Sequence, residues 1–255
     1  MWVQQQRFAK FLRKTRISRV NYEASEPVGG ETVAKTDVFG IIGPIMIGPS
    51  SSHTAGAARI GRMARAICHQ RPRSVRIVLH GSFAETGRGH GTHLALIAGL
   101  LGLSPGDEQL RQSRELAERE GMEVAIELGD LGNVHPNTAL LEITGEDGSR
   151  TTVVGSSVGG GNIVITNIDD FDVEIYGNYY TLVVSHQDVP GMLSQITALL
   201  AAAQVNIANM RTSRKAKGQM ALTIIETDHV ITGELLADVQ AVPNVVSVFA
   251  VPPVR

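Results

Sequence analysis

The C-terminal end of the chain constrains the fold most tightly, because there the apolar period switches between 2 and 3.6 in a fixed order. Residues 179 to 253 give a strand pattern in YYTLVVSH, a helical pattern in PGMLSQITALLAAAQ and two strand patterns in VNIANMRTSR and QMALTIIETD. A second helix in TGELLADVQAV and a last strand in VVSVFAV complete the series. The order is βαββαβ, which predicts a ferredoxin-like arrangement. At its first strand-to-helix turn stand Asp188, Pro190 and Gly191. Proline and glycine permit a tight turn that brings backbone N–H groups to a helix start, where a carboxylate can be held.

That module accounts for less than half of a 255-residue chain, so a second domain is expected upstream. From Val38 the run VFGIIGPIMIG is short, β-branched and broken by Gly and Pro, which suits a strand or extended segment. Ala57, Ile60, Met63, Ala64 and Ile67 then recur at helical spacing, with Arg59, Arg62 and Arg65 among the exposed positions. SVRIVLHGSF reads as a strand, GTHLALIAGLLGL and QLRQSRELAERE as helices, and MEVAIELG as a strand. ALLEITGEDGSRTTVVGSSVGG contains a hairpin signal in Glu146-Asp147-Gly148, and GNIVITNID adds a further strand. The expected fold class is α+β: a mixed α/β domain over 37–170, a linker over 171–178 and the βαββαβ module over 179–255. Residues 1–36 carry six cationic side chains from Arg7 to Arg19, and no acid in the first 20 positions. They are expected to form a disordered basic extension.

Composition excludes several classes of function. With 43% hydrophobic residues the chain can bury a core, and a net charge of -2 gives no basis for binding nucleic acid or an anionic membrane. The single cysteine, Cys68, excludes an internal disulfide framework and any metal site built from several thiolates of this chain. Its place near the apolar face of a helix marks it as structural. No run of about 18 apolar residues offers a transmembrane helix, and a cytoplasmic globular protein is expected.

Three polar segments stand out. GPSSSHT places Ser50, Ser51, Ser52, His53 and Thr54 at the start of the first helix. One of these hydroxyls would serve as an N-cap, but capping needs only one. Four around an imidazole at the positive end of a helix suit an anion such as a carboxylate or phosphate. HGSFAETGRGHGTH reads as a Gly-rich loop around Thr86, His90 and Thr92, and it lacks the lysine spacing of a P-loop. NVHPNTA puts His135, Asn137 and Thr138 in a Pro-containing turn. Polar loops at the ends of strands and helices can converge on one pocket.

Two resemblances follow. DVPGMLSQITALLAAAQVNIANM, in its βαββαβ setting, resembles the ACT domain, a regulatory module that commonly binds amino acids between paired copies. The resemblance implies an effector site at Asp188, Pro190, Gly191, Asn206 and Asn209, and a homo-oligomer formed through ACT pairing. FGIIGPIMIGPSSSHTAGAARIGR, HGSFAETGRGHGT, HPNTA and GGGNIVITNI, ahead of such a module, resemble the beta subunit of the iron-sulfur L-serine dehydratases. That resemblance implies an L-serine ammonia-lyase, producing pyruvate and ammonia with an oxygen-sensitive 4Fe-4S cluster and no pyridoxal phosphate. A cluster held by several thiolates must sit on another chain when this one offers only Cys68, which implies an alpha subunit as partner and no metal ligands here. By the same resemblance Ser50, Ser51, Ser52 and Thr54 bind substrate, and His53 is the catalytic base or orienting group. An ordinary imidazole titrates at about 6.5, within reach of that task. His90, Thr92, His135 and Asn137 join them as residues of the substrate pocket or subunit interface.

The chain departs from the family pattern at His93, which stands after GHGT where an acid is expected. A different function class also fits: the tail of some phosphoglycerate dehydrogenases combines a similar domain with an ACT module and catalyses nothing. A non-catalytic amino-acid-binding subunit would use the same hydroxyls as a sensor.

Overall fold

The structure, a computed structural model, describes residues 45–254. The basic stretch 1–36 and most of the segment expected to be extended from Val38 lie outside the described residues, and residues 45–50 carry bends and no strand.

After a π-helical turn at Ser51–Gly56, helix α1 spans Ala57–Cys68 and buries every apolar position that the spacing singled out. Its arginines differ from expectation. Arg59, Arg62 and Arg65 are half-buried, and two of them tie helix to backbone: Arg59 Nη1 donates to the Gly161 carbonyl at 2.7 Å and Arg65 Nη1 to Leu100 at 2.7 Å. Strand β1 (Pro72–Leu79) follows, then helices α2 (Gly81–His90), α3 (Thr92–Leu100) and, after a 3-10 turn at Glu108–Gln112, α4 (Ser113–Arg119).

Helices α1 and α3 cross with their backbones in contact, which only glycine allows. A Cβ at Gly61 would lie 2.2 Å from the Leu96 carbonyl oxygen, and one at Gly99 2.1 Å from that of Ala58. These helices cover a sheet of β2 (Glu123–Leu128), β1, β3 (Thr138–Gly145), β4 (Arg150–Gly159), β5 (Asn162–Ile168) and β6 (Phe171–Ile175), in the order β2-β1-β3-β4-β5-β6. Only β1 and β2 run parallel. The predicted hairpin joins β3 to β4, with Gly148 at φ +81° in its turn. Strand β6 lies where the sequence suggested a linker. Its alternating Phe171, Val173 and Ile175 are buried, so the sheet gains an edge strand from only five residues.

The C-terminal module has the expected order. Strand β7 (Tyr180–Gln187), helix α5 (Met192–Ala202), strands β8 (Ile207–Arg214) and β9 (Met220–Thr227), helix α6 (Gly233–Gln240) and strand β10 (Val245–Val251) form an antiparallel sheet ordered β10-β7-β9-β8. Period-2 alternation splits its apolar residues between two cores. Leu182, Val184 and Ile225 pack under α5 and α6 with Ile196, Leu200 and Leu235, whereas Val183, Leu222, Ile224 and Val251 enter the core built on α1 and α3. Each such burial contributes about 1.5–3 kcal/mol. A polar seam runs beside this second contact. Arg211 pairs with Glu174 at 2.9 Å, Lys215 with Asp170 at 3.3 Å, and the Ser213 hydroxyl donates to the Asp172 carbonyl.

Candidate functional site

The site begins with the turn that precedes α1. Ser50, in extended conformation, caps it: its Oγ accepts the His53 N–H at 3.3 Å, and its carbonyl accepts the Thr54 N–H at 2.8 Å. A π-helical turn is wider than an α-turn and is found at functional sites. Here it carries His53 inward, to 8% exposure, with Ser51 and Ser52 half-buried beside it.

The second polar segment is not the loop that its glycines suggested. Residues 81–90 form α2. Gly81 starts it at φ +52°, where a Cβ would come within 2.7 Å of the Pro136 carbonyl oxygen, so glycine is required both for the left-handed turn and for the close passage of the HPNT segment. One face of α2 then meets His53. Its Nε2 lies 3.0 Å from Thr86 Oγ1, 3.3 Å from Ser82 Oγ and 3.4 Å from the Ser82 carbonyl oxygen. The ring of His90 stands 4.8 Å away and that of Phe83 5.2 Å, edge-on. Burial lowers the pKa of His53 below its ordinary 6.5, the Ser82 carbonyl opposes the shift, and His90 adds to it. The same burial favours the uncharged form of the imidazole.

The third segment docks on the start of α2. Phe83 N–H donates to the Pro136 carbonyl at 3.4 Å, and His80 N–H to that of Thr138 at 3.0 Å. His135 itself is exposed, its Nδ1 accepting the Asn137 N–H at 3.1 Å. Ser157 on β4 closes the arrangement. Its N–H donates to the Asn137 carbonyl at 2.9 Å, and its hydroxyl would lie 2.1 Å from a Cβ on Gly56. Ser157 thus sits between the Ser-rich turn and the HPNT turn.

Three buried polar atoms in this region, Thr54 Oγ1, Asn137 Oδ1 and Ser157 Oγ, have no hydrogen-bond partner among the described residues. Leaving such a group buried and unpaired costs about 1–3 kcal/mol, an expense associated with function. Thr92 Oγ1 is also unpaired, on the first residue of α3, where Thr92 packs against Gly87 of α2. The structure thus brings Ser50, His53, Thr54, His90 and Asn137 into one region and leaves His135 on its rim. Ser82, Thr86 and Ser157 belong to it as well. Their sequence signals were the hydroxyls in HGSFAET and the paired serines of GSSVGG.

His93, which replaces an expected acid, is half-buried. Burial lowers its pKa, the Gly87 carbonyl opposes this, and the nearby Arg114 and Arg88 lower it further.

These residues cannot hold an iron-sulfur cluster. Among the described residues no group of three or more His, Cys, Asp or Glu could ligate a metal ion. Cys68 is 2% exposed, and burial pushes its thiol up, away from the thiolate that a cluster needs.

In the C-terminal module the residues expected to bind an effector form two groups. Asp188 accepts from Arg214 Nη1 at 2.9 Å and from the Gly218 N–H at 3.0 Å, beside the exposed Pro190-Gly191 turn. Asn206 Nδ2 donates to Asp228 at 2.7 Å, and Asn209 Nδ2 to Glu226 at 3.1 Å. Asn206 and Asn209 stand eight and five residues before Arg214, so within one chain about 26 Å and 17 Å of strand separate them from the partner of Asp188.

Fold and site together define a two-module α+β protein in which a hydroxyl-lined histidine domain is joined to an ACT domain, whose family profile matches residues 180–244. The profile described as Serine dehydratase beta chain matches residues 36–167. Over 211 residues the chain is 42% identical to the probable L-serine dehydratase, beta chain, of Bacillus subtilis, covering 83% of this chain and 96% of that protein. It is 37% identical to the L-serine dehydratase, beta chain, of Peptoniphilus asaccharolyticus, covering 77% and 89%. The D-3-phosphoglycerate dehydrogenase of Synechocystis is 26% identical over 76% of this chain, which spans 35% of that protein. The chain belongs to the serine dehydratase beta chain family and carries a C-terminal ACT domain.

Proposed function

We propose that this chain is the beta subunit of an L-serine dehydratase and, with a cysteine-rich alpha subunit holding the 4Fe-4S cluster, deaminates L-serine to pyruvate and ammonia in the cytoplasm. The observation that carries the reading is the buried His53, met by Thr86 and Ser82 and set beside unpaired hydroxyls, in a chain of this family. Elimination of a β-hydroxyl needs a base for the α-proton and a cradle for the carboxylate. His53 supplies the base. Ser50, Ser51, Ser52 and Thr54, on a turn whose N–H groups lead into α1, supply the cradle. His90, Thr92, His135, Asn137 and Ser157 complete the pocket or its rim against the alpha subunit.

The ACT domain binds an amino-acid effector between paired copies. The separation of Asp188, Pro190 and Gly191 from Asn206 and Asn209 within one chain supports a site completed by a second copy. The test is an anaerobic serine-to-pyruvate assay of this chain alone, then with the alpha subunit after iron-sulfur reconstitution. Turnover only in the mixture is expected. Turnover in neither, with serine still raising the Tm of this chain, would replace the reading with that of a non-catalytic amino-acid-binding subunit.

A further inference from the structure

The hydrogen bonds around His53 determine which of its two nitrogens is basic. A carbonyl oxygen only accepts, so the Ser82 carbonyl, 3.4 Å from Nε2, favours a proton there. Thr86 acts the same way. Its single hydroxyl hydrogen is committed to the Ser82 carbonyl at 2.9 Å, so toward Nε2, at 3.0 Å, its oxygen presents a lone pair. Two of the three atoms around Nε2 are thus acceptors; the third, Ser82 Oγ at 3.3 Å, can accept as well. At Nδ1 the situation is reversed. Ser50 Oγ accepts from the His53 N–H and keeps its own hydrogen, which can point at Nδ1 across 3.4 Å.

We infer that α2 locks His53 as the Nε2–H tautomer, so that Nδ1, facing Ser50, is the nitrogen that accepts the substrate proton, and that Thr86 is the residue positioning that base. The inference rests on the function proposed above for the identity of the proton donor only. In the step, the Ser50 hydroxyl hydrogen turns away from Nδ1, the substrate Cα–H bond breaks, its electron pair stays with the substrate, and the proton forms an N–H bond at Nδ1 that Ser50 Oγ can then accept. The resulting imidazolium keeps Nε2–H on Thr86 and Ser82, so no hydrogen bond on that side has to be remade as charge appears. His90 is held in the opposite tautomer: its Nδ1 faces the Thr86 carbonyl oxygen at 3.2 Å and donates to it, which leaves the lone pair on Nε2.

The test is long-range proton-nitrogen correlation NMR of the full chain, labelled with nitrogen-15 at histidine and recorded above neutrality. The His53 signals are assigned by their loss in His53→Gln. A protonated Nε2 and an unprotonated Nδ1 are expected. Thr86→Val, which removes the acceptor, should mix the tautomers, and Thr86→Ser should restore the parent pattern. In the reconstituted complex Thr86→Val should lower kcat about tenfold or more with little change in KM, since a misdirected base forfeits part of the 10²–10⁴-fold that such catalysis supplies. A protonated Nδ1 in the parent chain, or a Thr86→Val spectrum identical to it, overturns the inference. Failure of the complex to turn over serine would instead count against the proposed function and leave the spectroscopic answer standing.

Discussion

The Ser-rich turn and the ACT turn both place polar groups at the start of a helix, yet they handle those groups in opposite ways. At the first, the buried Thr54 and Ser157 and the half-buried Asn137 each hold a buried polar atom without a partner among the described residues. At the second, Asp188 takes both Arg214 Nη1 and the Gly218 N–H; at the start of β8 the exposed Asn206 and Asn209 pair with Asp228 and with Glu226, which is buried and leaves its Oε1 unpaired among the described residues. Buried unpaired groups cost stability and are retained where a ligand or partner repays them. Exposed paired groups cost little, and a ligand there must compete with partners already in place. On the proposed reading, the first turn holds its ligand at a fixed geometry and the second exchanges one.

The contrast is broken most strongly by disturbing what holds the first turn in place. That turn leads directly into α1, whose angle is set by backbone contact with α3. Gly99→Ala would put a Cβ 2.1 Å from the Ala58 carbonyl oxygen and 2.7 Å from the Arg62 nitrogen. Overpacking of this kind costs about 1–3 kcal/mol, more where backbone cannot yield, and should lower the Tm by about 5 °C or more together with activity. Gly233→Ala, at the start of α6 with nothing within 4 Å of the added Cβ, is the matched control in the ACT domain and should leave the Tm unchanged or slightly raised. Calorimetry of the two variants checks the pair. Equal effects would show that α1 is not anchored as described.

Ser157→Ala tests the cost of the unpaired hydroxyls directly. Removing a fully buried oxygen that bonds to nothing among the described residues should hold the Tm or raise it, by up to the 1–3 kcal/mol that such a group costs. Turnover in the reconstituted complex should fall. A lower Tm would identify Ser157 as a structural donor and reduce the difference between the two turns to one of burial.

How far the sequence disclosed this contrast depends on which physical signal carried each part. The βαββαβ module was legible because strand and helix periods alternate cleanly there, and α1 because its apolar positions recur without interruption. Helix α2 was not, since glycines at 81, 87 and 89 argue against helix, and it is the docking of the HPNT turn and of His53 that overrides their propensity. Strand β6 was too short, and too near the next strand, to separate from a linker. The convergence of three polar segments was readable as a possibility from their positions at element ends. That His135 would stand at the rim, and that Ser157 would close the site, depended on the β3–β4 register, with Thr138 opposite Ser156. Nothing local in the sequence encodes that pairing.

The smallest effect is expected at the ACT turn, and its size is the point. Arg214→Ala removes one of the two partners of Asp188, and the Gly218 N–H remains. Because the pair is exposed, water replaces the guanidinium, and the Tm should stay within about 2 °C of the parent at neutral pH. The sign of the pH dependence follows from the direction of the shift. The Gly218 N–H first, and Arg214 second, hold the Asp188 pKa below the ordinary carboxylate value. The stability they confer is thus present above that ordinary value and is lost as pH falls through the depressed one. Any difference between parent and variant should therefore disappear in acid, as thermal melts across the acid range would show. An amino-acid-dependent Tm shift should nonetheless change in Arg214→Ala, since a ligand at the 188–191 turn meets an Asp188 held by one partner fewer. A large loss of stability with an unaltered ligand response would make the turn structural, and the two halves of the molecule would then differ less than their hydrogen bonding indicates.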